Sequence, residues 1–288
     1  MTDQPDAGAR GMTLESSATA TSIATTGSAA TGSRLDERRL IGTGTVLVFL
    51  AAWEIAAASG AVDPLFISSP SRVVRAGAEL FASSEIWTDI EVSAAEFFWG
   101  YLLSIVIAVP LGLAIGLSRR VHHVFSPIVD GLNAVPRITL LPLLVIWGGI
   151  GIWSKIAVVF LGAVIPITIY TTAGVKTNEA RFLRIAHSFG ASPWKRFTSI
   201  VLPGTVPFIF TGLKYGAGRA LLGVVVGELY ASTAGVGHMI AAAGNTFQTD
   251  IVFFGVALFT ITGLVVVGVL DRLERRFERW RPPVGDGR

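Results

Sequence analysis

The sequence predicts an all-α membrane protein with six transmembrane helices. Of its 288 residues, 51% are hydrophobic and 15% are charged, and the mean hydropathy is +0.62. Soluble domains carry about 25% charged residues, so this chain has too few polar side chains to cover a water-soluble globule. A transmembrane helix needs roughly 20 apolar residues, and the long apolar runs of this chain suffice for about six.

Six apolar runs follow one another after residue 39, and we treat each as one predicted span. They cover residues 40–59, 97–117, 128–147, 155–175, 206–230 and 251–270. Pro136, Arg137 and Pro142 interrupt the third run, and Lys214 and Arg219 lie within the fifth. The third and fifth spans are therefore the least regular of the six.

The distribution of basic residues predicts the orientation of the chain. Cytoplasmic loops of membrane proteins carry an excess of Lys and Arg. If the N-terminus lies in the cytoplasm, only Arg72, Arg75 and Lys155 fall on the outer side, and most of the 23 basic residues fall inside. The sequence therefore predicts that both termini lie in the cytoplasm, and the net charge of +3 reflects topology rather than nucleic-acid binding.

The parts of the chain outside the spans are two tails and two amphipathic stretches. Residues 1–39 are rich in Ala, Gly, Ser and Thr, a composition that favours disorder, and residues 283–288 form a short C-terminal tail. Residues 72–81 and 271–281 alternate apolar and charged positions at helical spacing. Such stretches favour helices that lie on the membrane surface.

Several classes of site are absent from the sequence. The chain has no cysteine, which excludes disulfides and thiolate sites, and its four histidines have no metal-ligand spacing. It has no G-x4-G-K-[ST] motif, so we expect the energy source to be another chain or a gradient. A membrane enzyme would need an acid–base or metal cluster, and a gradient-driven transporter would show repeats with matching broken spans; the sequence contains neither pattern.

The loop of residues 176–205 predicts a short helix, a stop and a second helix outside the membrane. Gly190 supplies a left-handed stop, Ser192 and Pro193 suit the start of the second helix, and Leu202-Pro203 would end it before the fifth span. The first helix carries an apolar stripe that the membrane, the protein's own spans or a partner protein must cover. The stripe consists of Phe182, Ile185, Ala186 and Phe189.

The loop resembles the EAA loop of ABC-transporter permease subunits. Gly190, Ile200, Leu202 and Pro203 have the spacing G-x9-I-x-L-P of the C-terminal part of that loop. Residues 69–71, 136–151, 202–214 and 227–237 resemble segments of the sulfonate, taurine and nitrate permeases. The resemblance covers roughly residues 40–282, which it identifies as a transmembrane permease domain.

The resemblance implies a bundle like that of type I ABC importer permeases in the cytoplasmic membrane. It implies a second permease copy, ABC ATPase subunits that bind ATP and Mg, and an extracytoplasmic solute-binding protein. This chain itself would hold no cofactor and catalyse no reaction. The solute would be a small anion such as a sulfonate, taurine or nitrate. A pyrimidine precursor or another small metabolite is the alternative within the same class, and a gradient-driven transporter is the alternative outside it.

The resemblance also implies which residues contact the ATPase. The family's loop begins Glu-Ala-Ala, but this chain has Arg184, Ile185 and Ala186 at those positions. We therefore expect Arg184 to contact a carboxylate of the partner. The residues assigned to this coupling element are Arg184, Ala186, Gly190, Ala191, Ile200, Leu202 and Pro203.

Charged residues within the spans predict the transport pathway. Such residues are costly in a membrane and usually face a cavity, and the candidates are Arg137, Arg219 and Glu228. A cationic cavity would suit an anionic solute, whereas the alternative is that Arg219 and Glu228 are paired structural charges. Glycines four residues apart predict close helix packing of spans two and five, within one chain or across a dimer. The pairs are Gly112 and Gly116, Gly212 and Gly216, and Gly223 and Gly227.

Overall fold

The structure, a computed structural model, describes residues 30–60, 63, 65–177, 186 and 188–277. Within these ranges the regular structure is entirely helical, as predicted. The α-helices are α1 (Ala30–Ala58), α2 (Pro70–Ala82), α3 (Glu85–Leu117), α4 (Arg119–Ala134), α5 (Leu141–Gly148), α6 (Ile152–Thr177), α7 (Pro193–Arg196), α8 (Leu202–Ala231), α9 (Val236–Asn245) and α10 (Thr249–Phe277). A 3-10 helix at Arg137–Leu140 precedes α5, and a π-helix at Phe197–Val201 joins α7 to α8.

Five of the described helices are long and apolar enough to cross a membrane. They are Leu40–Ala58, Glu85–Leu117, Ile152–Thr177, Pro193–Ala231 and Thr249–Phe277, and they correspond to predicted spans one, two, four, five and six. The predicted third span is not a single helix, because α4 ends at Ala134 and Val135 is extended. Pro136 explains this break, since the residue before a proline avoids the helical conformation.

The chain divides into two compact units, Met1–Ala61 and Val62–Arg288. The first unit contains α1, which begins at Ala30 rather than at the predicted residue 40. Residues 30–39, which we expected to be disordered, therefore have a helical backbone. The remainder of the predicted N-terminal tail, and the C-terminal tail of residues 283–288, lie outside the described residues.

Helix α6 lies at the centre of the second unit, between α3 and α8. The apolar core between these helices includes Ala108 of α3, Val159 and Ile167 of α6, and Ala220 of α8, all fully buried. The hydroxyl of Tyr101 crosses from α3 and donates a hydrogen bond to the carbonyl of Leu213 in α8, at 2.8 Å. The three helices thus form one continuous core.

The predicted glycine pairs bring α3 and α8 close to α6. A methyl group at Gly112 would lie 2.7 Å from Cβ of Thr171, and one at Gly223 would lie 3.0 Å from Cα of Val159. The other four glycines face α6 in the same way, with side-chain or backbone atoms of α6 within 3.3 Å. Close packing of spans two and five is confirmed within the chain, and the fourth span is the partner of both.

We expect Gly112→Val to lower the free energy of unfolding by about 1–3 kcal/mol, the usual cost of an overpacked core. The new Cβ would lie 2.8 Å from the carbonyl oxygen of Thr168, and a backbone atom within a helix has little freedom to move away. The thermal unfolding midpoint of the purified chain measures the effect. Gly131→Val in α4 is the control, because no atom lies within 4 Å of that position; equal losses in both variants would contradict the packing.

Helix α2 packs on α10, as the contact of its buried Gly77 with Phe254 shows. The amphipathic helix expected at residues 72–81 is therefore present, and one side of it is covered by protein. The surface helix expected at residues 271–281 is wrong for residues 271–277, because α10 continues unbroken to Phe277. No proline or glycine lies between Leu270 and Phe277, and Lys214 of α8 binds both Asp271 (2.6 Å) and Glu274. Residues 278–281 lie outside the described part.

Candidate functional site

A cavity of about 620 Å³ lies between α6 and α8 beside the end of α4. Its wall includes residues 133–136, where α4 ends and Pro136 interrupts the helical conformation. Gly162 and Pro166 of α6 contribute a smooth apolar side, and Tyr170, Tyr215 and Arg219 contribute the polar groups. Irregular backbone at membrane depth is tolerated where it lines a cavity or is buried in protein, and the broken segment here lines one.

Arg219 provides the positive charge of this cavity. Its guanidinium donates a hydrogen bond to the hydroxyl of Tyr215 at 3.0 Å, and its Cζ lies 5.3 Å from the centre of that ring. The ring of Tyr170 lies 5.8 Å from that of Tyr215. No described carboxylate forms a salt bridge with Arg219, whose side chain is exposed. A guanidinium has five N–H donors, so donors remain for an anion.

The structure places the other predicted pathway residues differently. Arg137 begins the 3-10 helix directly after Pro136, which lines the cavity; the position of its side chain lies outside the described part of the chain. Glu228 does not line the cavity. It is fully buried near the end of α8, where it accepts hydrogen bonds from Ser93 (2.6 Å) and the N–H of Gly237 (2.7 Å). Arg219 and Glu228 are therefore not paired with each other.

A buried ionic cluster surrounds Glu228, and sequence reasoning missed two of its members. Lys155 of α6 forms a salt bridge with Glu96 of α3, and its Nζ also donates to the hydroxyl of Ser232 at 2.8 Å. Both charged side chains are at most 6% exposed. Lys155 is the first residue of predicted span four and was assigned to the outer side, whereas Glu96 lies one residue before predicted span two and was not considered. Helix α3 begins at Glu85 rather than at residue 97, so Glu96 lies inside this helix and not at its end.

Gly190 has the left-handed backbone conformation that was predicted for the stop in the loop of residues 176–205. Its φ angle is +71°, which a residue with a side chain rarely adopts. The N–H of Ala191 bonds back to the carbonyl of Ala186 at 3.0 Å. A left-handed C′ residue with a bond of this span is the Schellman motif, which closes a helix end. Arg184 lies outside the described residues, so its expected contact stays a prediction.

The second half of the loop differs from the prediction. Ser192 caps α7 by accepting a bond from the N–H of Lys195 (3.3 Å), and Pro193 is the first residue of that helix, as expected. Leu202-Pro203 does not end the helix. The N–H of Leu202 bonds to the carbonyl of Phe197, five residues back, and this wider turn lets the chain pass the missing N–H of Pro203. Ile200 lies in the π-helix, and Leu202 and Pro203 begin α8.

Two aromatic side chains flank Gly190 and are exposed. Phe189 is 87% exposed and Trp194 is 72% exposed. Trp194 lies 5.7 Å from the ring of Phe197, which supports it from one side. Aromatic residues with this exposure are typical anchors of protein–protein interfaces. Sequence reasoning included Phe189 in an apolar stripe but did not single out Trp194.

Comparison with known proteins decides the family of the chain. The family model described as "Binding-protein-dependent transport system inner membrane component" matches residues 104–279. The chain belongs to this family. The permease is also 33% identical over 255 residues to the "Taurine transport system permease protein TauC" of Escherichia coli, covering 87% of this chain and 93% of the relative.

Two further relatives have related names. The permease is 30% identical over 234 residues to the "Putative aliphatic sulfonates transport permease protein SsuC" of Bacillus subtilis, covering 81% of this chain and 85% of that protein. It is 28% identical over 235 residues to the "Formylaminopyrimidine transport permease protein ThiX" of Halalkalibacterium halodurans, covering 82% and 93%. The predicted resemblance to sulfonate and taurine permeases is confirmed.

A solved structure confirms the fold. A chain of the MetNI methionine ABC transporter, in an inward-facing conformation, superposes with a TM-score of 0.57 and 18% identity, covering 68% of this chain and 95% of that one. The permease therefore has the fold of type I ABC importer permeases and is a multi-pass membrane protein. Five of the described helices are long and apolar enough to cross a membrane, so the predicted count of six spans is not confirmed.

Proposed function

We propose that this permease forms the membrane pathway of an ABC importer for a small sulfonate-like anion. The observation that carries the proposal is the exposed guanidinium of Arg219 in a cavity of about 620 Å³, with no described carboxylate bound to it. Two relatives are named for taurine and aliphatic sulfonates, and each of these solutes carries a sulfonate group that accepts several hydrogen bonds.

The proposed importer contains partners that supply energy and solute. A second copy of the permease completes the cavity, and separate ATPase subunits bind ATP and Mg at the coupling loop. An extracytoplasmic solute-binding protein delivers the anion. The permease itself holds no cofactor and catalyses no reaction. Both of its termini lie on the cytoplasmic side of the cytoplasmic membrane in this proposal, as the positive-inside rule favours; this orientation requires the interrupted segment of residues 119–148 to cross the membrane as a sixth span, in addition to the five long helices.

Arg219 binds the anion in this proposal, and Tyr215 positions Arg219. The Tyr215 hydroxyl accepts a hydrogen bond from one guanidinium N–H, and the Tyr215 ring makes a cation–π contact with the guanidinium. The remaining N–H groups are free for two sulfonate oxygens, in the bidentate geometry that guanidinium favours. The solute then crosses by alternating access while the ATPase supplies the driving force.

The coupling loop contacts the ATPase through the turn at Gly190. The Schellman motif fixes the angle between the two short helices, so motion of the ATPase surface is transmitted rather than absorbed. Phe189 and Trp194 would fill apolar pockets of the ATPase, and Arg184 would pair with one of its carboxylates. The remaining coupling residues, Ala186, Ala191, Ile200, Leu202 and Pro203, support this turn and its connection to α8.

A pyrimidine precursor is the second candidate substrate. The observation that favours it is the pair of aromatic rings, Tyr170 and Tyr215, in the cavity wall. Aromatic pairs of this kind stack on planar heterocycles, and one relative is named for formylaminopyrimidine. A planar neutral solute would depend on the rings, whereas a sulfonate would depend on the guanidinium.

We expect Arg219→Ala to reduce uptake of radiolabelled taurine into proteoliposomes by about 10- to 100-fold, because a hydrogen bond to a charged group contributes about 1.5–3 kcal/mol. The proteoliposomes contain the permease with its ATPase and binding protein. Arg219→Lys keeps the charge and should lose less. Arg272→Ala, which removes an exposed arginine of α10, is the control.

Three outcomes would contradict the proposal. Full taurine uptake by Arg219→Ala would exclude its role in anion binding. Uptake of a formylaminopyrimidine that survives Arg219→Ala but fails with Tyr215→Leu would favour the second substrate. Uptake by the permease alone, driven by an ion gradient without the ATPase, would overturn the importer assignment.

A further inference from the structure

The buried cluster of Glu96, Lys155 and Glu228 contains two acids and one base. It joins three helices, because the residues lie on α3, α6 and α8, respectively. Glu96 and Glu228 are fully buried and Lys155 is 5% exposed. If all three groups were charged, the cluster would hold one uncompensated negative charge within the helix bundle.

Glu228 is a hydrogen-bond acceptor at both of its oxygens. Oε1 accepts from the hydroxyl of Ser93 at 2.6 Å, and Oε2 accepts from the N–H of Gly237 at 2.7 Å. The Ser93 hydroxyl accepts in turn from the N–H of Val236 at 2.9 Å, so its own hydrogen is directed to Glu228. Each oxygen therefore already accepts one hydrogen bond, and a carboxyl group in either protonation state can accept in this way.

Glu96 forms a salt bridge through its Oε1 with Nζ of Lys155. Both of its carboxyl oxygens are buried, and neither has a hydrogen-bond partner among the described residues. The carboxyl groups of Glu96 and Glu228 also interact with each other. Two ionised carboxylates in this position would repel each other, and a buried acceptor without a donor is costly.

The other titratable groups around the cluster do not supply the missing positive charge. On α3, Asp89 is an additional acid and accepts a hydrogen bond from the N–H of Gly235 at 2.6 Å. On α6 the charged neighbour is Lys155 itself, which is already bound to Glu96 and Ser232. Helix α9 carries one titratable residue, His238, directly after Gly237.

We propose that the cluster is a proton-binding site, in which Glu96 and Glu228 share one proton. The shared proton forms a hydrogen bond between the two carboxyl groups, which gives Glu96 the hydrogen-bond partner that it lacks, and it brings the charge of the Glu96–Lys155–Glu228 group to zero. This proposal does not depend on which solute is transported. If the proton site were disproved, the proposed function would be unaffected.

The proton stabilises the connection between α8 and α9. Glu228 and Ser93 bind the N–H groups of Gly237 and Val236, so the position of this segment depends on the position of the two carboxyls. The side chain of Glu228 also occupies the space beside Gly235, where a methyl group would lie 2.2 Å from its Oε1. Loss of the proton would place two negative charges beside this tightly packed segment and loosen it.

Infrared spectroscopy of the full-length chain in lipid nanodiscs tests the proposal directly. At pH 8, ordinary glutamates are ionised because their pKa is about 4.3, so a bound proton appears as a carboxylic C=O stretch that shifts in D₂O. We expect this band in the native chain. It should vanish in Glu96→Gln and in Glu228→Gln, since either change balances the cluster, and it should remain in the control Glu79→Gln, an exposed position of α2.

A stability measurement provides a second, independent readout. If the folded state holds one more proton than the unfolded state, stability falls as the pH rises above the ordinary Glu range, by up to about tenfold in the unfolding constant per pH unit. The thermal midpoint of Glu96→Gln should be less dependent on pH than that of the native chain between pH 6 and 9. His238→Gln is the control for titration of that histidine.

Three results would overturn the proposal. The first is a native chain without the carboxylic band at pH 8. The second is a midpoint that depends on Na⁺, compared with choline, but not on pH, which would replace the proton by a metal cation. Retention of the band in both Glu96→Gln and Glu228→Gln would place the proton elsewhere and would also exclude the site.

Discussion

Replacing Gly190 with valine is expected to reduce substrate-stimulated ATP hydrolysis and solute uptake at least tenfold while the chain still inserts into the membrane. Gly190 has a φ of +71°, and the N–H of Ala191 bonds back across it to the carbonyl of Ala186, in the turn that we propose contacts the ATPase. A residue with a side chain pays roughly 1–2 kcal/mol in the left-handed region, and a β-branched residue is a genuine outlier there. The turn would open, and the angle between the two loop helices would be lost.

Backbone conformation, rather than space, is the cause of this effect, because no atom lies within 4 Å of a Cβ added at Gly190. The matched control follows from that distinction. Gly190→Asn adds a larger side chain than Gly190→Ala, but asparagine tolerates the left-handed conformation, so it should retain more activity than Gly190→Ala. ATPase assays of the reconstituted importer, with membrane insertion checked by fractionation, measure the series. Full stimulated activity in Gly190→Val would exclude the coupling role of this turn.

The second large effect is expected from Lys155→Met, which should lower the free energy of unfolding by about 3–5 kcal/mol, the usual cost of leaving a buried charge without its partner. The substitution removes the base from the cluster and leaves Glu96 and Glu228 in the interior. It also removes the donor to Ser232, whose hydroxyl contacts the backbone of Ala234. The thermal midpoint should fall by on the order of 10 °C.

Lys214→Met is the matched control for this experiment. Lys214 also binds two acids, Asp271 and Glu274, but its side chain is 26% exposed and that of Asp271 is 38% exposed. Exposed ion pairs contribute only about 0–1 kcal/mol, so the loss should be several-fold smaller. Lys155→Arg keeps the charge in a larger side chain and should fall between the two. Equal losses in Lys155→Met and Lys214→Met would contradict the importance of burial.

Long apolar runs and glycine positions were readable from the sequence. Hydrophobic length predicted five of the six spans close to their observed positions, because a helix that crosses a membrane satisfies its own backbone and depends little on distant residues. Gly190 and Ser192 were also predictable, since a left-handed stop and an N-cap are local features. The glycine pairs predicted close packing, although their common partner, α6, could not be derived from spacing alone.

The remaining features depend on contacts between distant parts of the chain. Glu96 and Lys155 lie 59 positions apart and looked like ordinary residues at the ends of spans; only the fold brings them together. The continuous passage from α7 into α8 was missed because Pro203 is a strong helix-stop signal, and a π-helix that bypasses it has no signature in the sequence. Pro136 was visible in the sequence as an interruption of the third span. The sequence did not show that the segment forms two α-helices joined by a 3-10 helix instead of one long helix.

The unbroken helical segment Pro193–Ala231 has a mechanical consequence. Its 39 residues correspond to a rod of about 58 Å, at about 1.5 Å per residue. One end of this rod adjoins the turn that we propose contacts the ATPase, Arg219 lies beyond its midpoint, and Glu228 lies near the other end. A tilt of about 10° at the coupling turn would displace the far end by roughly 10 Å on this length. Small rotations of a docked ATPase would thus be amplified along a single lever, without any contact having to be relayed from helix to helix.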